Sequence, residues 1–156
     1  MSKLIGLEEF LKLKNKFKEK KIVFTNGCFD LLHVGHVDYL TRAKQLGDIL
    51  IIGLNSDSSV KKIKGSKRPL NNEKDRATVL AALECVDFII LFEEDTPYRL
   101  IQAIQPDVLV KGGDWPIDRI VGKDIVEANG GQVISLSLIE GYSTTNLINK
   151  IIKLYS

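Results

Sequence analysis

From Ile22 onward, short β-branched apolar runs alternate with amphipathic stretches of helical length. This restricts the fold more than any other feature, because parallel neighbours need a long crossover and that crossover is usually a helix. Strands are predicted at Ile22 to Thr25, Ile49 to Leu54, Phe88 to Leu91, Val108 to Val110 and Val133 to Leu136. Each is a near-continuous apolar run and not a strict alternation, as expected of strands covered by helices on both faces. The expectation is an α/β fold built on a five-stranded parallel sheet.

Helix signals fall between the strands. Leu7, Phe10, Leu11, Lys14 and Phe17 share one face of a basic amphipathic helix predicted over Leu7 to Lys21, read as a packed face with a solvated lysine side. Thr96 and Pro97 read as an N-cap and first helical position, and Asn72 with Asp75 as a capping pair. The helix after His36 is expected to stop at Gly47, and one starting near Asp118 to end at Gly130 and Gly131. The expected organisation is a single domain over residues 1–156, with a helical segment at 1–20 and a core at 21–156.

A chain of 156 residues has the length at which about 70% of the unfolded surface is buried, so no disulfide or metal staple is needed. Lys and Arg number 22 against 20 Asp and Glu, a formal charge of +2. That balance argues against nucleic acid or an anionic membrane as partner, and any bound anion must be held by local geometry. Cys28 and Cys85 lie too far apart for a zinc knuckle and are too few for a disulfide framework, which suits a reducing cytoplasm. Neither a signal peptide nor an apolar run of about 18 residues is evident.

Chemistry concentrates in four places. The segment from Phe24 to His36 leaves the first strand, turns through Gly27 and delivers His33 and His36, the only two histidines, to the start of a helix. Free N–H groups and the positive dipole end favour anions there, and two imidazoles add donors for a phosphate oxygen. Gly35 between them lets a bulky ligand approach the backbone. A metal site is a competing reading, without a third ligand at convincing spacing, and satisfied structural histidines are another. Lys61, Lys62, Lys64, Lys67 and Arg68 crowd a stretch read as a loop, where a phosphate-rich ligand would relieve repulsion, although a solvated loop explains it equally. Arg76 is placed to point back to the same cleft. Val110-Lys-Gly-Gly-Asp-Trp115 follows the fourth strand; its paired glycines Gly112 and Gly113 permit backbone approach to a flat or charged ligand, Lys111 and Asp114 offer opposite charges, and a tight turn is the alternative explanation. Ser143, Thr144 and Thr145 precede an apolar helical pattern, and can cap a helix or hold a phosphate. All four clusters fall at strand ends, the edge where parallel sheets bind ligands.

Asn26-Gly-Cys-Phe-Asp30 leading into His33-Val-Gly-His36 resembles the HxGH nucleotidyltransferase superfamily, and Ser143-Thr-Thr145 is similar to its Ser/Thr-rich phosphate motif. With Asn55-Ser-Asp57, Lys64-Gly65, Arg68-Pro69, Phe92 to Pro97, Lys111 to Asp114 and Ser143 to Asn146, the pattern over about residues 20 to 153 resembles the nucleotidyltransferase domain of heptose biosynthesis, the D-glycero-D-manno-heptose 1-phosphate adenylyltransferases. The resemblance implies a Rossmann-like three-layer αβα fold of nucleotidyltransferase type. It also implies a cytoplasmic enzyme using ATP and heptose 1-phosphate, with Mg²⁺ on the nucleoside triphosphate and no metal held by protein ligands alone. By position it implies catalytic roles for His33, His36 and Lys64. Nucleotide contacts would come from Thr25, Asn26, Gly27, Phe29, Gly35, Lys111, Gly112, Asp114, Ser143, Thr144 and Thr145. Substrate contacts would come from Asp30, Asn55, Asp57, Lys61, Arg68 and Arg76. Two departures stand out. Leu147 to Lys150 replaces the Arg that many members carry after the Ser/Thr motif, leaving Lys150 or another cation to meet the triphosphate. The sugar kinase that often precedes this domain is not in the sequence, so a separate kinase is expected upstream in the pathway. A homodimer is compatible with the resemblance. Guanylyltransferase, polyol-phosphate cytidylyltransferase and nucleotide-binding regulatory module are the alternatives.

Overall fold

The computed structural model describes residues 2–113 and 115–156. Five strands, β1 (Ile22–Gly27), β2 (Ile49–Asn55), β3 (Phe88–Phe92), β4 (Val108–Gly112) and β5 (Gln132–Leu136), form one sheet in the order β3-β2-β1-β4-β5. Every neighbouring pair is parallel. All five predicted strands are present. Most run one or two residues further at their C-terminal ends, where Asn26, Gly27, Asn55, Lys111 and Gly112 remain in the ladder.

Helices α1 (Leu7–Leu13), α2 (Val34–Lys44), α3 (Asp57–Lys64), α4 (Glu73–Ala81), α5 (Tyr98–Ile104), α6 (Lys123–Ala128) and α7 (Thr144–Tyr155) complete the chain. Alternate residues of one strand feed two cores. Ile22 and Phe24 join Phe10, Leu100, Ile101 and Val126 on the α1, α5 and α6 side. Val23 joins Tyr39, Leu40, Ala77 and Leu80 on the α2 and α4 side. The result is the three-layer αβα arrangement.

The first helix is shorter than predicted. It gives way to a 3-10 turn at Lys14–Phe17, and Leu7, Phe10, Leu13 and Phe17 face the core while Leu11 is exposed. Leu13, the last residue of α1, takes the core contact expected of Leu11 as the chain passes into the 3-10 turn. Residues before this helix do more than the sequence suggests. Ile5 N–H donates to Ile89 and Ile89 N–H to Lys3, sealing the outer edge of β3.

Other boundaries move for local reasons. Asn72 caps α4 as expected, accepting from the Asp75 N–H at 3.0 Å. Helix α5 starts at Tyr98 with Pro97 as its N-cap, and Thr96 makes no capping bond. A 3-10 turn occupies Ile117–Arg119, and the true helix α6 waits until after Gly122, whose left-handed φ of 93° interrupts the run. Helix α2 ends at Lys44, with Gly47 N–H closing a turn onto Lys44. Lys61, Lys62 and Lys64 lie on α3 and not in a loop, because the Ser56 hydroxyl accepts from the Ser59 N–H and caps that helix.

Phe10 is completely buried, edge-on to Phe88 at 5.4 Å and stacked on Phe17 at 6.4 Å. Phe10→Ala should lower stability by about 3–5 kcal/mol, read as a drop in the urea midpoint within a single transition. An unchanged midpoint would show that α1 is not part of the cooperative core.

Candidate active site

The strand order reverses direction between β1 and β4, which both leave their C-terminal ends at one edge of the sheet. Open parallel sheets bind ligands at such a switch point. A cleft of about 500 Å³ lies there, floored by Asn26 to Asp30 after β1, Asn55 of β2, and Val110 and Lys111 of β4. His36 and Thr144 close one side; Lys64 and Arg68 close another. A smaller hollow of about 230 Å³ adjoins His33, with Tyr142, Ser143 and Lys150 around it. The two imidazoles stand between the hollows, with ring centroids 4.0 Å apart.

The histidine pair is locked by its own backbone. His33 is the N-cap of α2, and its Nδ1 accepts from the Gly35 N–H at 3.1 Å; His36 Nδ1 accepts from the His33 N–H at 3.3 Å. This reciprocal arrangement is a capping box built from imidazoles. Because each Nδ1 is an acceptor, the proton of each neutral ring belongs on Nε2, which leaves Nε2–H as the outward donor. Burial lowers the pKa of His33. Burial first, and then the neighbouring His33, pushes His36 down to about 4. Near pH 7 both rings are neutral donors of fixed tautomer.

Gly35 serves this lock, because the space a side chain would take there is already filled. A Cβ there would lie 2.9 Å from His33 Cε1 and 3.1 Å from Tyr142 Cβ. Gly112 is similar, its Cβ space being taken by Leu138 and Tyr39. Phe29 packs its ring against His36 at 5.4 Å and across Gly27, holding the histidine from behind.

Cations gather around the cleft. Lys111 is half-buried with Nζ 5.5 Å from the Trp115 ring centroid. Its pKa is lowered chiefly by burial, with Lys64 across the cleft adding to the effect. Burial pushes the Cys28 thiol up against the opposing pull of Lys64, Arg76 and Arg68, so the thiol stays neutral. Asp30 is the buried carboxylate of the site. Its oxygens accept from Arg68 Nε at 2.7 Å and from the N–H groups of Leu70 and Asn71, each at 2.9 Å. Burial opposes its ionisation, but the donors from Asn71, Leu70 and Arg68 outweigh it and hold the carboxyl below its ordinary range.

Several expected contacts sit elsewhere. Thr25 is fully buried, its hydroxyl paired with the Tyr39 hydroxyl at 2.5 Å. Arg76 is 2% exposed and bonded to Asp57 at 2.9 Å, so both belong to the wall behind the cleft and not to its lining. Lys61 is exposed on α3, outside the cleft, and Thr145 is exposed on the first turn of α7, where Ser143 is the N-cap. Asp114 lies outside the described residues. Ile63, Asp95, Trp115 and Arg119 also line the cleft; Ile63 and Arg119 fall outside the sequence motifs, while Asp95 and Trp115 lie within them without an assigned role. Trp115 is 51% exposed, and so large an aromatic in a polar loop was the available signal. Among the described residues no group of three or more His, Cys, Asp or Glu side chains is placed to hold a metal ion, and no helix is long and apolar enough to cross a membrane.

A three-layer parallel sheet with an imidazole-capped helix at its switch point defines a nucleotidyltransferase-type domain. The sequence profile of the cytidylyltransferase-like family matches residues 24–150, and the chain belongs to that family. It is 59% identical over 140 residues to the bifunctional protein HldE of Geobacter metallireducens, covering 90% of this chain and 29% of the relative. It is 52% identical over 150 residues to HldE of Helicobacter hepaticus, covering 96% and 30%. The chain thus spans under a third of the length of these curated relatives. Among solved structures, it is similar to the lipopolysaccharide core biosynthesis protein of Thermoplasma volcanium, with TM-score 0.63 and 28% identity, covering 80% of this chain and 99% of that one. The pantoate-beta-alanine ligase of Francisella tularensis shares the fold at TM-score 0.62 and 15% identity, covering 98% and 80%.

The depressed His36 pKa has a sign. The unfolded chain takes up a proton near the ordinary 6.5 and the folded ring only near 4, so this stability is present above 6.5 and is lost as pH falls from there towards 4. An NMR titration should place the His36 midpoint near 4, and His36→Gln should flatten that part of the stability curve. A midpoint near 6.5 would contradict the buried, neutral ring.

Proposed function

We propose that this domain transfers an adenylyl group from ATP to D-glycero-D-manno-heptose 1-phosphate, giving ADP-heptose and pyrophosphate for surface-glycan synthesis in the cytoplasm. The observation that carries the reading is the pair of tautomer-locked imidazoles standing between a cation-lined cleft and the N-terminus of α7. The family membership and the HldE relatives support the same class.

The sugar-phosphate oxygen is the nucleophile. It forms a bond to the α-phosphorus as the bond from that phosphorus to the bridging oxygen of pyrophosphate breaks, and the leaving group departs with the electron pair. The nucleophile is already anionic, so no strong base is required; the barrier lies in bringing anions together and in charge on the α-phosphate. His36 and His33 donate their Nε2–H groups to phosphate oxygens at no cost in reorganisation, because the capping bonds have already fixed them. Lys64, Arg68 and Lys111 offset the charge of the two substrates in the larger cleft. Ser143, the N–H groups of Thr144 and Thr145, and Lys150 meet the leaving phosphates in the smaller hollow, which makes Lys150 the cation in place of the usual Arg. Asn26, Gly27 and Trp115 face the nucleoside.

The donor set fits a Mg²⁺ carried on triphosphate oxygens, since Asp30 spends its oxygens on Arg68, Leu70 and Asn71. When bound, the ion neutralises phosphate charge. A separate or fused sugar kinase supplies the heptose 1-phosphate.

Single-turnover assays should pair ATP, GTP, CTP and UTP with both anomers of heptose 1-phosphate. Release of pyrophosphate with ATP and one anomer is expected, and His36→Ala should stay folded while losing on the order of a hundred- to a thousandfold in rate. Turnover only with CTP and a polyol phosphate would overturn the substrate assignment. Near-normal turnover by the folded His36→Ala would overturn the mechanism.

A further inference from the structure

Arg76 is the largest fully buried side chain among the described residues. A charged group is rarely buried to this degree without a specific set of partners. Its guanidinium donates to four acceptors from three separate segments. Nη1 reaches the carbonyls of Cys28 at 2.7 Å and Asn55 at 2.8 Å, Nε that of Asn71 at 2.9 Å, and Nη2 the Asp57 carboxylate at 2.9 Å. Two of these, Cys28 and Asn55, lie at or just past the ends of β1 and β2, so they fix the guanidinium to the rigid sheet. The Asn71 carbonyl belongs to the irregular segment between α3 and α4, which carries Arg68.

That segment is tied back to the cleft floor by Asn71 and Asp30. Asn71 N–H donates to Asp30 Oδ1 at 2.9 Å and its side-chain amide donates to the Asp30 carbonyl at 2.8 Å. Asp30 in turn holds Arg68 by Nε at 2.7 Å, which leaves the other end of that guanidinium for the cleft. A planar fork with donors in three directions can satisfy all four acceptors at once; a lysine ammonium cannot.

We propose that Arg76 is a positioning residue that fixes the anion-binding Arg68 relative to the sheet, acting through Asn71 and Asp30 without touching substrate. The part that concerns turnover rests on the transferase reading above. Two measurements separate the two ideas. In the ligand-free protein, Arg68 Nε–H should be protected from exchange by its bond to Asp30, and NMR should show that protection lost in Arg76→Lys and reduced in Asn71→Ala, which removes only the side-chain tie. In steady-state assays Arg76→Lys should lower kcat/KM by about ten- to a hundredfold, mainly by raising KM for the sugar phosphate. The same change should cost no more than about threefold once Arg68 is Ala, because contacting residues in one network are not additive.

Retained Arg68 protection in a folded Arg76→Lys overturns the proposal whatever the substrate, as does an equal fold-loss in the two backgrounds. Should Arg76→Lys fail to fold, Asn71→Ala decides: unchanged exchange and unchanged KM overturn it. A wild-type domain inactive on every heptose 1-phosphate overturns the substrate assignment, while the ligand-free exchange measurement still tests the role of Arg76.

Discussion

Burial of β1 and β2 on both faces is the constraint on which the rest of this structure depends. A strand with apolar residues at successive positions cannot present one side to water, so helices must cover both faces and each connection must cross over. Those crossovers bring every strand's C-terminal end to the same edge. The site is therefore a consequence of where the hydrophobic residues lie. Chemistry-bearing segments 26 to 36, 55 to 68 and 110 to 121 are far apart in sequence, yet all leave that one edge.

The sequence made the strands legible because their apolar runs have no competing reading at that length. It made the histidine site legible because both histidines fall at one helix start. What it hid is of a different physical kind. Arg76 reads as a cation facing the cleft from its place at a helix start, and only the convergence of three carbonyls and a carboxylate on one point explains its burial behind it. The lysines of α3 crowd beside Gly65 and Ser66, a composition that suggests a loop, while the cap that makes the helix, Ser56, lies several residues earlier. The edge pairing of residues 3 to 5 involves backbone groups alone and has almost no side-chain signature. Trp115 and Arg119 reach the cleft through a loop whose path no periodicity specifies.

Electrostatics follow the same division between average and local. A net charge of +2 over 156 residues is nearly featureless, while Lys64, Arg68, Lys111 and Arg119 converge on one cleft whose buried Asp30 carboxylate is already paired. The histidines add donors without adding charge near pH 7, since burial keeps them neutral. Part of the positive potential at this edge is therefore dipolar, which salt screens less than it screens a field of exposed cations.

The contact between Gly35 and His33 also constrains how this sequence can change. The imidazole of His33 occupies the space where any other side chain at position 35 would begin. Exchange of the glycine alone displaces the ring, and exchange of the histidine alone leaves a void beside an uncapped helix. Mutational paths out of this arrangement thus pass through an impaired intermediate whichever residue changes first. The two positions behave as one heritable unit, a steric reason for such a motif to persist whole while the surrounding loops diverge.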